Sequence, residues 1–210
     1  MPNTNAPFGY RPYRMLDGSP PTYGMERFFI NSSDANSFGT GDLVAQSSQF
    51  PGAITLYAGS SVAPVPLGVF NGCEFFSPTV GRVVWSNNYQ SGAGAASSTP
   101  VTAYVQTHPD LLYTAQVSSA NITSSNNTGE LLFHNSGLGI NTTTGISQAT
   151  ISSSQGVSGL SSAPWRFIDT LANVGPPGAP GTDASSAQFF NIVVVKPNNW
   201  TYNVLTGVTS

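Results

Sequence analysis

The chain has 210 residues, of which 39% are hydrophobic and only 7% are charged, with a formal net charge of -3. Its six Lys and Arg residues are too few to displace the counterions of nucleic acid, so nucleic-acid binding is not expected. No apolar run approaches the roughly 18 residues of a membrane span, so no membrane contact is expected either. A surface with so little charge does not keep copies apart, and we expect much of it to be covered in an assembly.

Residues 1–24 are predicted to form an extended N-terminal arm. They contain five prolines at spacings that no helix tolerates, and proline favours extended backbone. Within residues 5–14, three aromatic rings supply apolar area and two guanidinium groups can pair with carboxylates, so the arm suits contact with a partner. Docking of the arm on its own body stays open as the alternative. The expected partner-binding residues are Phe8, Tyr10, Arg11, Tyr13 and Arg14.

Residues 25–117 are predicted to form a β-barrel core. Their apolar runs are short, rich in β-branched or aromatic residues, and bounded by Gly, Pro, Asn or Ser. This pattern is typical of barrels and sandwiches of short strands. The strand candidates are 25–30, 41–44, 53–57, 67–70, 75–76, 81–85, 101–105 and 111–117.

Residues 118–210 are predicted to be a β-rich elaboration with loops and closing C-terminal strands, in one compact domain with 25–117. A Ser/Thr/Asn/Gly tract fills 118–162. The other candidate elements are an apolar run at 129–133, a strand or helical turn at 165–169, a Pro/Gly loop at 175–181, the strongest strand at 189–195 and a short strand at 202–205. No window has a convincing 3.6-residue period, so the expected fold class is all-β, a small barrel or sandwich of short antiparallel strands.

The sequence contains no arrangement that predicts catalysis, and we expect that the protein is not an enzyme. A hydrolase needs a nucleophile beside a base that a third group orients. His108 lies in a turn and His134 ends an apolar run, and neither position suggests such a base. Cys73 is interpreted as a small buried hydrophobe, because no basic residue adjoins it in sequence. The acidic residues are scattered singly. No catalytic residue, metal site or cofactor is therefore expected.

Several short motifs follow one another in a fixed order. The sequence N-A-P-F-G-Y-R-P occupies residues 5–12, G-D-L-V occupies 41–44, and G-V-F-N-G-C occupies 68–73. Together with the strands at 81–85 and 101–105, this order resembles that of head decoration proteins of tailed bacteriophages. The resemblance covers about residues 2–145, and the chain departs from the pattern after residue 118.

The resemblance implies a capsid decoration, or cement, protein. Such a virion structural protein binds the outer surface of the phage head at junctions of major capsid subunits and stabilises the shell. The implied partners are the major capsid protein and further copies of this chain in a homotrimer. Because the start Met1-Pro2-Asn3 lacks the features of a signal peptide, we expect synthesis in the host cytoplasm and a final location on the virion.

A phage tail or surface adhesin with a carbohydrate-binding module is the main alternative. Trp85, Trp165 and Trp200 could stack on sugars, although Trp85 ends a Val-Val-Trp strand and is expected in the core. A secreted enzyme or lectin is disfavoured by the missing signal peptide. The major capsid protein itself is disfavoured because its shell fold needs a long helix, which the sequence does not predict.

Overall fold

The computed structural model confirms the predicted fold class. It describes residues 5–31, 33–57, 59, 65–91, 100–118, 131–135, 140–141, 143–155, 163–171 and 192–202. Within these ranges the protein is all-β and has no helix. Consequently, no helix in the described ranges is long and apolar enough to cross a membrane.

The strands are short, apart from β6, and most coincide with apolar runs of the sequence. In chain order they are β1 (Arg11–Met15), β2 (Glu26–Ile30), β3 (Phe38–Gly39), β4 (Leu43–Gln46), β5 (Ala53–Leu56), β6 (Pro66–Ser77), β7 (Arg82–Ser86), β8 (Asn88–Tyr89), β9 (Val101–Gln106), β10 (Leu111–Gln116), β11 (Leu131–Asn135), β12 (Thr150–Gln155), β13 (Trp165–Thr170) and β14 (Ile192–Pro197).

Five strands close into a barrel in the order β4-β5-β2-β9-β6, because β6 also pairs with β4. Neighbouring strands are antiparallel except β2 and β5, which are parallel. The second half of β6 carries β7 as an additional edge strand. The short strands β3 and β8 form a separate pair.

The second sheet is open and antiparallel, with the order β1-β10-β14-β13-β11-β12. It therefore joins the opening segment, the end of the predicted core and the C-terminal elaboration. A parallel bridge between Val117, just after β10, and Ile151 in β12 brings the far edge of the sheet back toward β10. Strands distant in sequence thus share one layer.

Strand β4 fastens the barrel to the open sheet because its two faces belong to different cores. Val44 belongs to the barrel interior, together with Phe38 and Phe70. Leu43 and Ala45 belong to a second core that the barrel shares with the open sheet. Side chains alternate along a strand, so one short element can serve two layers.

The opening segment belongs to this second core and packs on its own protein. Tyr10 is 1% exposed, and its hydroxyl donates to the carbonyl of Thr150 (3.2 Å). Its ring centroid lies 4.4 Å from that of Trp165. After Tyr10, strand β1 pairs with β10. Two further buried rings complete this aromatic core, those of Tyr113 and Trp200.

Some predicted elements have different bounds in the structure. The candidates 67–70 and 75–76 belong to one strand, β6, whose pairing with β9 shifts between Phe70 and Gly72 at a bulge. Segment 165–169 is a strand, β13, and not a helical turn. Strand β13 pairs with both β11 and β14. These two neighbours satisfy its backbone groups, which favours a strand over a helical turn.

Other predicted elements fall partly or wholly outside the described residues. The Pro/Gly loop at 175–181 lies outside them, as does the strand candidate at 202–205 beyond Tyr202. The strand predicted at 189–195 is described from Ile192 onward, and it ends at Pro197.

Replacing Tyr10 with Ala is expected to lower the free energy of unfolding by about 3–5 kcal/mol, because it empties a large buried site beside Trp165. Tyr13→Ala is the matched control, since Tyr13 is 42% exposed and its loss should change stability by about 0.5 kcal/mol or less. Urea unfolding of both variants measures the difference. Equal effects would contradict the anchoring role of Tyr10.

Candidate functional site

Cys73 is buried, and the imidazole of His108 is hydrogen-bonded within its own turn. Burial raises the pKa of the Cys73 thiol to about 12, which keeps it protonated at neutral pH. The backbone N–H of Asp110 donates to Nδ1 of His108 (3.1 Å), so this imidazole stabilises its own turn. Among the residues that the structure describes, no three His, Cys, Asp or Glu side chains come together as metal ligands.

Two open clefts flank His108, with volumes of about 350 and 430 Å³. In the first cleft the Tyr202 hydroxyl donates to the Glu26 carboxylate (3.1 Å). In the second, the Asp17 carboxylate accepts from the hydroxyl of Ser19 (2.7 Å). Both acidic groups are therefore already hydrogen-bonded within the protein.

Asp42 is a buried carboxylate, a type of group that often marks an active site. Desolvation raises its pKa to about 6, against the opposing effect of its hydrogen bonds with Ser147 and Gly39. The Ser147 hydroxyl donates to one carboxylate oxygen, and the Gly39 N–H donates to the other (2.6 Å). The backbone N–H of Ala149 also donates to the Ser147 hydroxyl (3.0 Å). The hydrogen bond with Ser147 spans 105 positions of the sequence, so Asp42 joins distant segments of the fold.

The three short motifs at 5–12, 41–44 and 68–73 meet beside Asp42. The N–H of Tyr10 donates to the Gly41 carbonyl (2.9 Å), and the N–H of Gly41 donates to the Phe70 carbonyl (2.8 Å). Gly9 has a φ of +70°, and a Cβ added there would lie 2.7 Å from both the Gly41 oxygen and the Ser147 Cβ. Only glycine fits such an approach. The motifs therefore form one internal junction, which we call the motif junction.

The structure separates the five residues predicted to bind a partner. Tyr10 is in the core and offers no ring surface. Phe8 is half-buried, and its carbonyl accepts from Nε of Arg11 (3.2 Å). Desolvation lowers the pKa of the half-buried Arg11 guanidinium. Tyr13 and Arg14 are exposed, with the guanidinium of Arg14 5.6 Å from the centre of the Tyr13 ring.

Tyr13 and Arg14 lie on β1, an edge strand of the open sheet, and Leu16 follows them as another exposed side chain. We call these three residues the arm surface. Pairing with β10 fixes the backbone of β1, and the N–H of Leu16 donates to the Asp110 carbonyl (2.9 Å). The hypothesis that the opening segment binds a partner therefore applies to the arm surface, whose side chains are held by a paired edge strand.

A second exposed surface lies on the outside of the barrel, across β7, β6, β9 and β2. We call it the barrel face and define it by Trp85, Glu74, Tyr104, Arg27 and Phe29. The strand register places Glu74 beside Trp85, and Arg27 beside Tyr104. Trp85 is 48% exposed and Phe29 is 54% exposed.

Contacts within the barrel face hold its polar and aromatic groups together. The rings of Trp85 and Tyr104 lie 5.1 Å apart, and the guanidinium of Arg27 lies 5.6 Å from the Tyr104 ring. A side-chain hydrogen bond with Glu74 raises the pKa of Tyr104. The indole N–H of Trp85 donates to the side-chain oxygen of Asn87 (3.1 Å).

The expectation that Trp85 belongs to the core is wrong. Trp165 and Trp200 are fully buried, whereas Trp85 lies on the outer face of β7. Arg27 and Phe29 of the barrel face were not among the candidate site residues predicted from the sequence. Their alternation in strand β2 was a usable signal, because residues two apart share one face of a strand.

Comparison of the chain with protein-family models, with curated proteins and with solved structures gave no match.

Asp42→Asn is expected to change how stability depends on pH. The raised pKa means that protonated Asp42 favours folding, so its contribution is full below about pH 4 and is lost as the pH rises through about 6. A change from 3.8 to about 6 corresponds to about 3 kcal/mol. Asparagine does not ionise, so the variant should gain stability relative to the natural chain between these pH values.

Urea unfolding of both proteins from pH 4 to pH 7 measures this difference, and the subtraction removes the contributions of other carboxylates. Parallel pH profiles for the two proteins would contradict a raised pKa at Asp42.

Proposed function

We propose that this chain is a virion structural protein, a capsid decoration protein that binds the outer surface of a phage head at junctions of major capsid subunits and stabilises the shell. It acts as a homotrimer in this proposal. The observation that carries the proposal is the arm surface, where Tyr13, Arg14 and Leu16 project from an anchored edge strand.

The arm surface combines apolar area with a directional cation. Tyr13 and Leu16 would each contribute about 1.5–3 kcal/mol if a partner buried them completely. The guanidinium of Arg14 can donate two parallel hydrogen bonds to a carboxylate of the capsid. These contacts suit a protein partner, because they pair an apolar contact with one fixed polar interaction.

Because the strand is already anchored, docking costs less conformational entropy than the docking of a free arm. Arg11, Pro12, Arg14 and Met15 already pair with β10, so binding has to restrict little of the backbone on either side of Tyr13. Many equivalent contacts on one lattice, joined through a trimer, would then raise the overall affinity by avidity. A modest contact at each subunit is sufficient for stable attachment.

The low charge of the chain also supports the proposal. With 7% charged residues, the protein has little electrostatic repulsion between copies that are crowded on a capsid surface. Exposed apolar side chains on such a surface favour association with other proteins. A location on an assembled particle accounts for both features.

The double variant Tyr13→Ala with Arg14→Ala is expected to bind phage capsids at least about tenfold more weakly than the natural chain, because it removes the ring and the cation of the arm surface. The variant should unfold at nearly the natural urea concentration, because both side chains are exposed. Co-sedimentation with particles that lack the protein measures binding.

Trp85→Ala is the control in this assay, since it removes an exposed ring from the other sheet. Unchanged sedimentation of the arm-surface variant would exclude the arm surface as the capsid contact.

Phage particles without this protein are expected to assemble but to release DNA at a lower temperature, because subunit junctions lose a clamp on their outer side. Adding the purified protein back should restore the release temperature. A dye that reports exposed DNA during heating measures the effect. Identical release temperatures with and without the protein would contradict the decoration role itself.

A further inference from the structure

We propose that the barrel face binds a neutral glycan built of hexopyranose units, a role that goes beyond capsid attachment. The face carries two exposed aromatic side chains at its ends and polar side chains between them, on a rigid four-stranded surface. Three features of the face favour this ligand: the way Trp85 is held, the width of the face and its charge balance.

Gly72 lets the Trp85 ring lie over the sheet. A Cβ added at Gly72 would be 2.5 Å from Cζ2 of Trp85, so the indole occupies the space that a side chain would fill. The φ of Gly72 is +150°, a conformation that other residues rarely adopt. One side of the indole therefore contacts β6, and the ring is still 48% exposed. The exposed part of the indole is therefore an aromatic surface that the flat apolar face of a ligand can cover.

The register extends this surface across the barrel in two rows. One row runs from the Trp85 ring, above Gly72, to Tyr104 and Arg27. The other row runs from Trp85 through Glu74 and Thr102 to Phe29. Three strand spacings separate the outer strands, so the face is about 14 Å wide. This width suits a chain of several sugar units better than a single sugar.

The charge balance of the face favours a neutral ligand. Arg27 and Glu74 are its two charged side chains and carry opposite signs. Both already contact Tyr104, so an anionic ligand such as a nucleic acid would find only one cation, close to a carboxylate. Sugar hydroxyls can both donate and accept hydrogen bonds, which matches the carboxylate and guanidinium together.

A dry protein contact fits this face less well than a glycan does. It would have to remove water from Glu74 and Arg27, which is costly unless the partner supplies matched charges. Hydroxyl groups can replace that water while the rings of Trp85 and Phe29 cover the apolar side of the sugar. The chemistry of the face thus selects a polyhydroxylated ligand.

Native electrophoresis through gels that contain dextran, laminarin or galactomannan tests the proposal on the full chain. We expect at least one of these neutral polysaccharides to retard the natural protein. Trp85→Ala should weaken the binding about tenfold or more, because the stacking surface is lost. Tyr13→Ala is the matched control, and it should be retarded like the natural chain, since Tyr13 lies on the open sheet.

Gly72→Ala is a second variant that keeps the indole but displaces it, and it should weaken retardation like Trp85→Ala. If Gly72→Ala does not fold, Trp85 fluorescence gives the same information on the natural chain. Trp85 is the exposed one of the three tryptophans. The retarding polysaccharide should therefore protect part of the fluorescence from quenching by acrylamide.

The proposal is overturned if none of the three polysaccharides retards the protein, or if Trp85→Ala is retarded as strongly as the natural chain. It is also overturned if Trp85→Ala changes the oligomeric mass by light scattering or reduces sedimentation with capsids, since the face would then bind protein. Capsid binding by Trp85→Ala tests this face separately from the arm surface, so either proposal can fail alone.

Discussion

The fold depends on the motif junction, where the backbone around Gly41 and Asp42 receives three distant segments. Tyr10 donates to Gly41, Gly41 donates to Phe70, and Ser147 donates to Asp42. The first two are backbone hydrogen bonds, and the third is a hydrogen bond to a buried carboxylate. Such groups must be satisfied once they leave water, so the junction permits little variation in the segments that meet there. Barrel, open sheet and opening segment are thereby fixed to one another.

The motif junction changes how the opening segment is interpreted. A segment with five prolines and several rings suggests an adhesive arm, yet its Tyr10 ring completes the core beside Trp165. Anchoring through Tyr10 makes the following strand rigid, and rigidity in turn presents Tyr13 and Arg14 in a fixed arrangement. One short stretch therefore combines an internal anchor, Tyr10, with a candidate external contact. The pairing of β1 with β10 shifts between Pro12 and Arg14, and the neighbouring side chains of Tyr13 and Arg14 are both exposed.

The two candidate surfaces lie on different sheets and differ in chemistry. The arm surface offers aliphatic and aromatic area together with the guanidinium of Arg14, which suits the carboxylates of a protein. The barrel face offers rings with balanced charges, which suits hydroxyl groups. A particle protein that used both would fasten itself through the open sheet and leave the barrel face for a second ligand. Gly72 is central to the second role because a larger residue would lift the Trp85 ring from the sheet.

The sequence alone determined the all-β class, since short β-branched and aromatic runs between turn residues admit few other folds. It also identified Cys73 as buried. Only the tertiary structure decided which rings face inward: Tyr10 is buried and Tyr13 exposed, while Trp165 is buried and Trp85 exposed. The alternation of a strand sorts residues into two faces, but the inner face depends on what packs against it. Tyr10 packs inward, where its hydroxyl donates to the carbonyl of Thr150, 140 positions later in the chain. The local sequence pattern around Tyr10 carries no information about a contact so distant.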